Sequence, residues 1–114
     1  MSYEASCHCG RVKVQVDADA PEEAISCNCS HCGSKGMLLT FVPRDKVTVG
    51  GEEALGEYRF NTMAIAHRFC RTCGVQPFAE GPGQEGPGAM INLRCVADLD
   101  LEKLRIIPFD GASR

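Results

Sequence analysis

Cys27-Asn28-Cys29-Ser30-His31-Cys32 puts three thiols into one short stretch, spaced C-x-C-x-x-C. Neither a hydrophobic core nor a surface loop requires that pattern. A soft divalent ion does, because zinc gathers thiolates at about 2.3 Å each. Two pairs echo it, Cys7-His8-Cys9 upstream and Cys70-Arg71-Thr72-Cys73 downstream. A C-x-x-C followed by glycine, here Gly74, is a turn in which two thiolates face one ion, and the glycine supplies a positive φ. C-x-C does the same where the chain bends, since residues two apart share a side of extended backbone. The spacing divides seven of the eight cysteines unequally. Cys7, Cys9, Cys70 and Cys73 make a closed four-thiolate site, structural in kind, tying the N-terminal end to the middle of the chain. Cys27, Cys29 and Cys32 leave a fourth position to water, substrate or a distant ligand, which makes theirs the expected catalytic zinc.

The eighth thiol, Cys95, follows Arg94 and has three readings: fourth ligand to the central trio, reactive nucleophile, or small core residue. His8 and His31 sit between cysteines and should point away from the metals. His67, three residues before Cys70, reads as a strand histidine rather than a base. Lys35, Arg44, Arg68, Arg71 and Arg94 are the candidates for a substrate carboxylate, with solvated surface as the default for each.

The elements that must hold these residues are short strands. Arg11 to Val16 alternates polar residues with Val12, Val14 and Val16, the period of a half-buried strand. Met37 to Val42 is apolar on both faces and predicts a central strand ended by Pro43. Lys46 to Val49, Leu55 to Phe60, Ala64 to Phe69, Ala89 to Leu93 and Arg105 to Phe109 predict further strands, with a turn around Asn61-Thr62. Asp98 to Leu104 has room for one or two helical turns. Gly81-Pro82-Gly83-Gln84-Glu85-Gly86-Pro87-Gly88 matches G-x-G-x-x-G literally, yet no βαβ unit surrounds it, so it reads as a mobile loop. The fold class is mainly β, in one domain over residues 1–114.

Composition narrows the function. At 114 residues a single small core is available, and two metal staples would add folding free energy to it. Net charge is -3 and no run of Lys and Arg stands out, which argues against nucleic acid as a partner. Met1 to Cys7 lacks a basic start followed by an apolar stretch, and Met37 to Val42 is too short to cross a bilayer. The expectation is a cytoplasmic protein with reduced thiols, where clustered cysteines mean metal rather than disulfides.

Taken together, Cys7-His8-Cys9-Gly10, Cys27 to Cys32, Phe69-Cys70-Arg71-Thr72-Cys73-Gly74 and the following Pro77-Phe78 resemble the glutathione-dependent formaldehyde-activating enzyme family, also called the GFA or CENP-V domain. The resemblance runs from Cys7 to about Leu104. It implies a small zinc-stapled β-tent, shared with methionine sulfoxide reductase B. It also implies two zincs, a structural one on Cys7, Cys9, Cys70 and Cys73 and a catalytic one on Cys27, Cys29 and Cys32. The activity it implies is that of a carbon–sulfur lyase, joining a small-molecule thiol such as glutathione to formaldehyde as S-hydroxymethylglutathione. Two other classes stay open on the residues alone: a non-catalytic zinc-stapled binding module, and a thiol redox enzyme using Cys95. The aldehyde, the thiol and the oligomeric state are not written in the sequence.

Overall fold

The computed structural model describes residues 2–60, 62–83 and 86–111. Strand β1 (Tyr3–Ser6) pairs antiparallel with β2 (Lys13–Val16), whose alternation works as period two demands. Val12, Val14 and Val16 are all fully buried. Strand β3 (Glu23–Cys27) then leads into a short helix, α1 (Ser30–Lys35), and β4 (Leu39–Pro43) follows. Next come β5 (Val47–Gly50), β6 (Leu55–Tyr58), β7 (Ala66–Cys70), β8 (Phe78–Gly83), β9 (Gly86–Asn92) and β10 (Arg105–Phe109).

These strands form two sheets. The smaller has the order β1-β2-β5 and the larger β10-β3-β4-β9-β8-β7-β6. All pairs are antiparallel except β10 on β3. Between the sheets the three valines meet Phe78, Ile91 and Leu93 in one buried cluster. Each such side chain contributes about 1.5–3 kcal/mol when withdrawn from water. Among the described residues no helix is long and apolar enough to cross a membrane.

The mainly β fold class agrees with the sequence reading, and several local expectations change, among them β4, which starts at Leu39 and takes in the Pro43 expected to end it. Helix α1 was not expected, because its sequence S-H-C-G-S-K has little helix propensity. It forms through its ends: Cys29 Sγ caps it by accepting from Cys32 N–H at 3.2 Å, and Gly36 closes it at φ 65°. The Gly81 to Gly88 segment is no loop but the arms of a hairpin, pairing Gly81 with Gly88, Pro82 with Pro87 and Gly83 with Gly86. Both strands have there run past their outer neighbours, so the donors that proline lacks would have met no acceptor. Gln84 and Glu85 lie outside the described residues, as does Asn61 of the expected β6–β7 turn. Asp98 to Leu104 holds one 3-10 turn at Leu101–Lys103, within the one or two helical turns expected. β6 and β7 are also shorter than expected, ending at Tyr58 and starting at Ala66.

One close approach fixes how β5 leaves the small sheet. Gly51 has φ 81°, and a Cβ there would stand 1.8 Å from the Arg11 carbonyl oxygen. Backbone cannot yield that far, so Gly51→Ala is expected to cost about 2–4 kcal/mol. Gly36→Ala is the control: it is also left-handed, but nothing lies within 4 Å, so only the conformational cost of about 1–2 kcal/mol remains. Urea midpoints of the two variants check the difference.

Candidate metal centres

Cys7 and Cys9 lie just after β1, where the chain bends back through Gly10 at φ 83°. Cys70 ends β7 and Cys73 follows in a turn closed by Gly74 N–H donating to Cys70 O at 2.8 Å. Gly74 has the positive φ expected of it, 84°. The four Sγ atoms all lie within 4.8 Å of one another. Cys9 Sγ is 3.6 Å from both Cys7 Sγ and Cys70 Sγ. That is far too long for a disulfide, and close to the roughly 3.8 Å separating thiolates about 2.3 Å from a shared tetrahedral ion.

Cys27, Cys29 and Cys32 come from the end of β3, the cap of α1 and its first turn, and their Sγ atoms likewise fall within 4.8 Å of one another. Cys95 joins neither group. It sits half-buried in a 3-10 turn with Sγ 3.7 Å from Gln76 O. Burial, reinforced by Cys7 and Cys73, pushes its thiol up to about 11. Of its three readings the small core residue is the one this placement supports, since a protonated thiol is a poor nucleophile.

The thiols of each group compete for protons. Hydrogen bonds from the Cys9 and Val75 backbone pull Cys73 down to about 6. The Arg11 backbone bond lowers Cys9, but desolvation and then Cys7, Cys70 and Cys73 around it outweigh that and push it up to about 11. In the trio, burial raises Cys32 to about 12, with Cys29 adding to it. Cys29 itself is lowered, its burial outweighed by bonds from Cys32, Cys27 and His31. Sulfurs packed this tightly cannot all ionise on their own, and a divalent cation is what permits it. Both donor sets fit a zinc-like ion.

The trio opens onto one face of the large sheet. Residues directly opposed across antiparallel strands share a face. Phe41, Met90, Ala79, His67 and Tyr58 are opposed in an unbroken row across β4, β9, β8, β7 and β6. The sheet's other face carries Ile91 and Phe78 into the core. α1 lies over the row: the His31 ring is 4.1 Å from that of His67 and stacks on Tyr58 at 5.7 Å. Phe60 stacks on His67 at 5.1 Å. Met90 joins the cluster around Cys32, Met37 and Leu39 that also touches Cys27 and Cys29. His31 therefore points into an aromatic wall beside the trio, while His8 is exposed.

A model of the glutathione-dependent formaldehyde-activating enzyme family matches residues 2–106. The chain belongs to that family. A crystal structure of a Rhodobacter sphaeroides protein is also similar, with 27% identity and a TM-score of 0.78, covering 92% of this chain and 97% of that one.

In this member of the formaldehyde-activating family the wall includes a residue that sequence reasoning missed. Lys35 Nζ donates to Gln76 Oε1 at 2.6 Å. An ammonium only donates, so it fixes the amide, and Gln76 Nε2 then faces His67 Nδ1 at 3.4 Å. That leaves the His67 proton on Nε2. Gln76 carries no motif, and its partners lie 41 and 9 residues away in sequence.

Burial first, then His31 and Lys35, lower His67 to about 4. The unfolded chain takes up that proton nearer the ordinary 6.5, so folding releases it in between. Stability is therefore lost as pH falls from about 6.5 to about 4. His67→Phe, which keeps an aromatic ring that cannot titrate, is expected to remove this share. The melting temperature of the wild type should fall relative to the variant across that window.

Of the candidate carboxylate binders, Lys35 is held at the site by Gln76 and the other four are engaged elsewhere. Arg44 and Arg68 both pair with Glu80, at 3.1 and 3.4 Å. Arg71 donates to Glu53 O, and Arg94 to Gly36 O.

Proposed function

We propose that this chain is a zinc-dependent carbon–sulfur lyase that forms or cleaves a thiol–aldehyde adduct of the S-hydroxymethylglutathione kind. Cys7, Cys9, Cys70 and Cys73 hold a structural zinc, and Cys27, Cys29 and Cys32 hold the catalytic one. The observation that carries this reading is the uneven grouping of sulfur, four thiols in one cluster and three in the other. A zinc with three protein thiolates keeps a position at which a carbonyl oxygen is polarised or a thiolate held.

The chain's own residues supply the rest. Tyr58, Phe60 and His31 stack into an aromatic wall that borders the reacting atoms on one side. In the forward direction the substrate sulfur bonds to the carbonyl carbon, the C=O π bond breaks, and the thiol proton ends on the new hydroxyl oxygen. His67 is neutral at pH 7, so its Nε2–H donates a hydrogen bond to that oxygen without giving up the proton. Gln76 and Lys35 hold the tautomer. We also place the protein in the cytoplasm, where eight free thiols remain reduced.

The test is exchange of formaldehyde with glutathione and with uncharged thiols, followed by NMR on protein of known zinc content. Faster adduct exchange with zinc-loaded protein supports the lyase. Two zincs per chain with no acceleration for any thiol leave the binding module as the better reading.

A further inference from the structure

We propose that the cleft between β4 and the β8–β9 hairpin binds an uncharged hydrocarbon arm of the substrate. The cleft measures about 670 Å³ and is walled by Phe41, Ile65 and Met90. That volume lies in the usual range for small-molecule sites, about 300–1,000 Å³. Its floor follows from register. Gly88 and Gly86 share a face with Met90, and across the hairpin they oppose Gly81 and Gly83. Glycine at all four positions strips that face of side chains, while Pro82 and Pro87 fall on the other. The segment read from sequence as a loop is thus a hairpin with one side hollowed out.

The hollow lies on the same face of the sheet as the candidate reaction centre, with Met90 between them. Phe41 and Met90 are opposed in the same row as His67 and Tyr58, and Met90 also packs into the cluster that touches Cys27 and Cys29. Among the described residues no charged side chain lines the cleft. Arg44 and Arg59, which lie beside Gly81 and Gly88 in the adjoining depression, are paired with Glu80 and Glu57, and register puts Glu80 on the opposite face from the glycines. Phe41 is 58% and Ile65 37% exposed, apolar surface that an alkyl or aryl chain would cover. A tripeptide thiol with two carboxylates and an ammonium finds no counter-charge here, whereas a hydrocarbon loses none by entering. The assignment rests on the lyase reading only for what the arm is attached to.

The probe is 1-decanol, which has neither thiol nor aldehyde, titrated against the zinc-loaded full chain. Saturable binding is expected, with glutathione failing to compete. Gly88→Leu fills the hollow: its Cβ would meet Val42 O at 3.8 Å, ordinary contact, and φ there is not positive. We expect at least tenfold weaker decanol binding with zinc content and melting temperature unchanged. Ile65→Asp, on the exposed wall, is the second variant and should weaken binding as much by placing charge at the cleft. No saturable binding to the wild type overturns the proposal, as does undiminished binding to whichever variant folds. Decanol binding that both variants lose, in a protein that accelerates no adduct exchange, supports the cleft and overturns only the lyase.

Discussion

Cys70→Ser lowers the melting temperature by about 15 °C or more, and chelation of the wild type has the same effect. The reason is where the closed cluster sits. Cys70 and Cys7 belong to the main buried cluster with Val12, Val14, Phe78 and Ile91, and Cys70 is fully buried. The ion they would share joins the end of β1 to the end of β7, so it links the small sheet to the large one. Structural zinc contributes apparent binding free energies of about 10–16 kcal/mol, against a total stability of about 5–15 kcal/mol for a domain. Losing one thiolate of four forfeits several kcal/mol of that and leaves a hydroxyl in an apolar cluster. Differential scanning calorimetry with metal analysis reads the result. An unchanged melting temperature, with two ions still bound, would remove the bracing role.

Cys29→Ser has the opposite profile: turnover is lost by about a thousandfold or more while the fold survives. Metal content should fall from two ions per chain to one. Serine is itself a strong helix cap, so α1 keeps its start and the substitution acts on the donor set. The trio packs with a small satellite cluster of Cys32, Met37 and Leu39 rather than with the main core. A melting temperature within a few degrees of the wild type is therefore expected. Exchange kinetics and metal analysis on the same sample check both halves. Full activity in Cys29→Ser would show that the trio is not where the chemistry happens.

How much of this was legible beforehand depends on sequence distance. Cys27, Cys29 and Cys32, like each outlying pair, are grouped by a few residues of local geometry, and local spacing can be read without a fold. Val12, Val14 and Val16 were equally readable, because period two is a property of the strand itself. Helix α1 was not. All of its six residues but Lys35 are poor helix formers, and it is held by a thiol cap and by His31 packing on an aromatic wall brought from β6 and β7. The Gly81 to Gly88 segment misled for the same kind of reason. Glycine and proline dominate its composition, and only the pairing of Gly81 with Gly88 and Gly83 with Gly86 makes them one side of a cleft.

By itself, then, the sequence determined the unequal division of seven thiols, the β periodicity and the family. Tertiary structure alone decided what surrounds the trio: the row from Phe41 to Tyr58, the Lys35–Gln76–His67 chain and the hollow face of the hairpin. Metal ligands announce themselves because their spacing is set by the size of an ion. The walls of a site come from strands far apart in the chain, and sheet register, a long-range property, is what places them together.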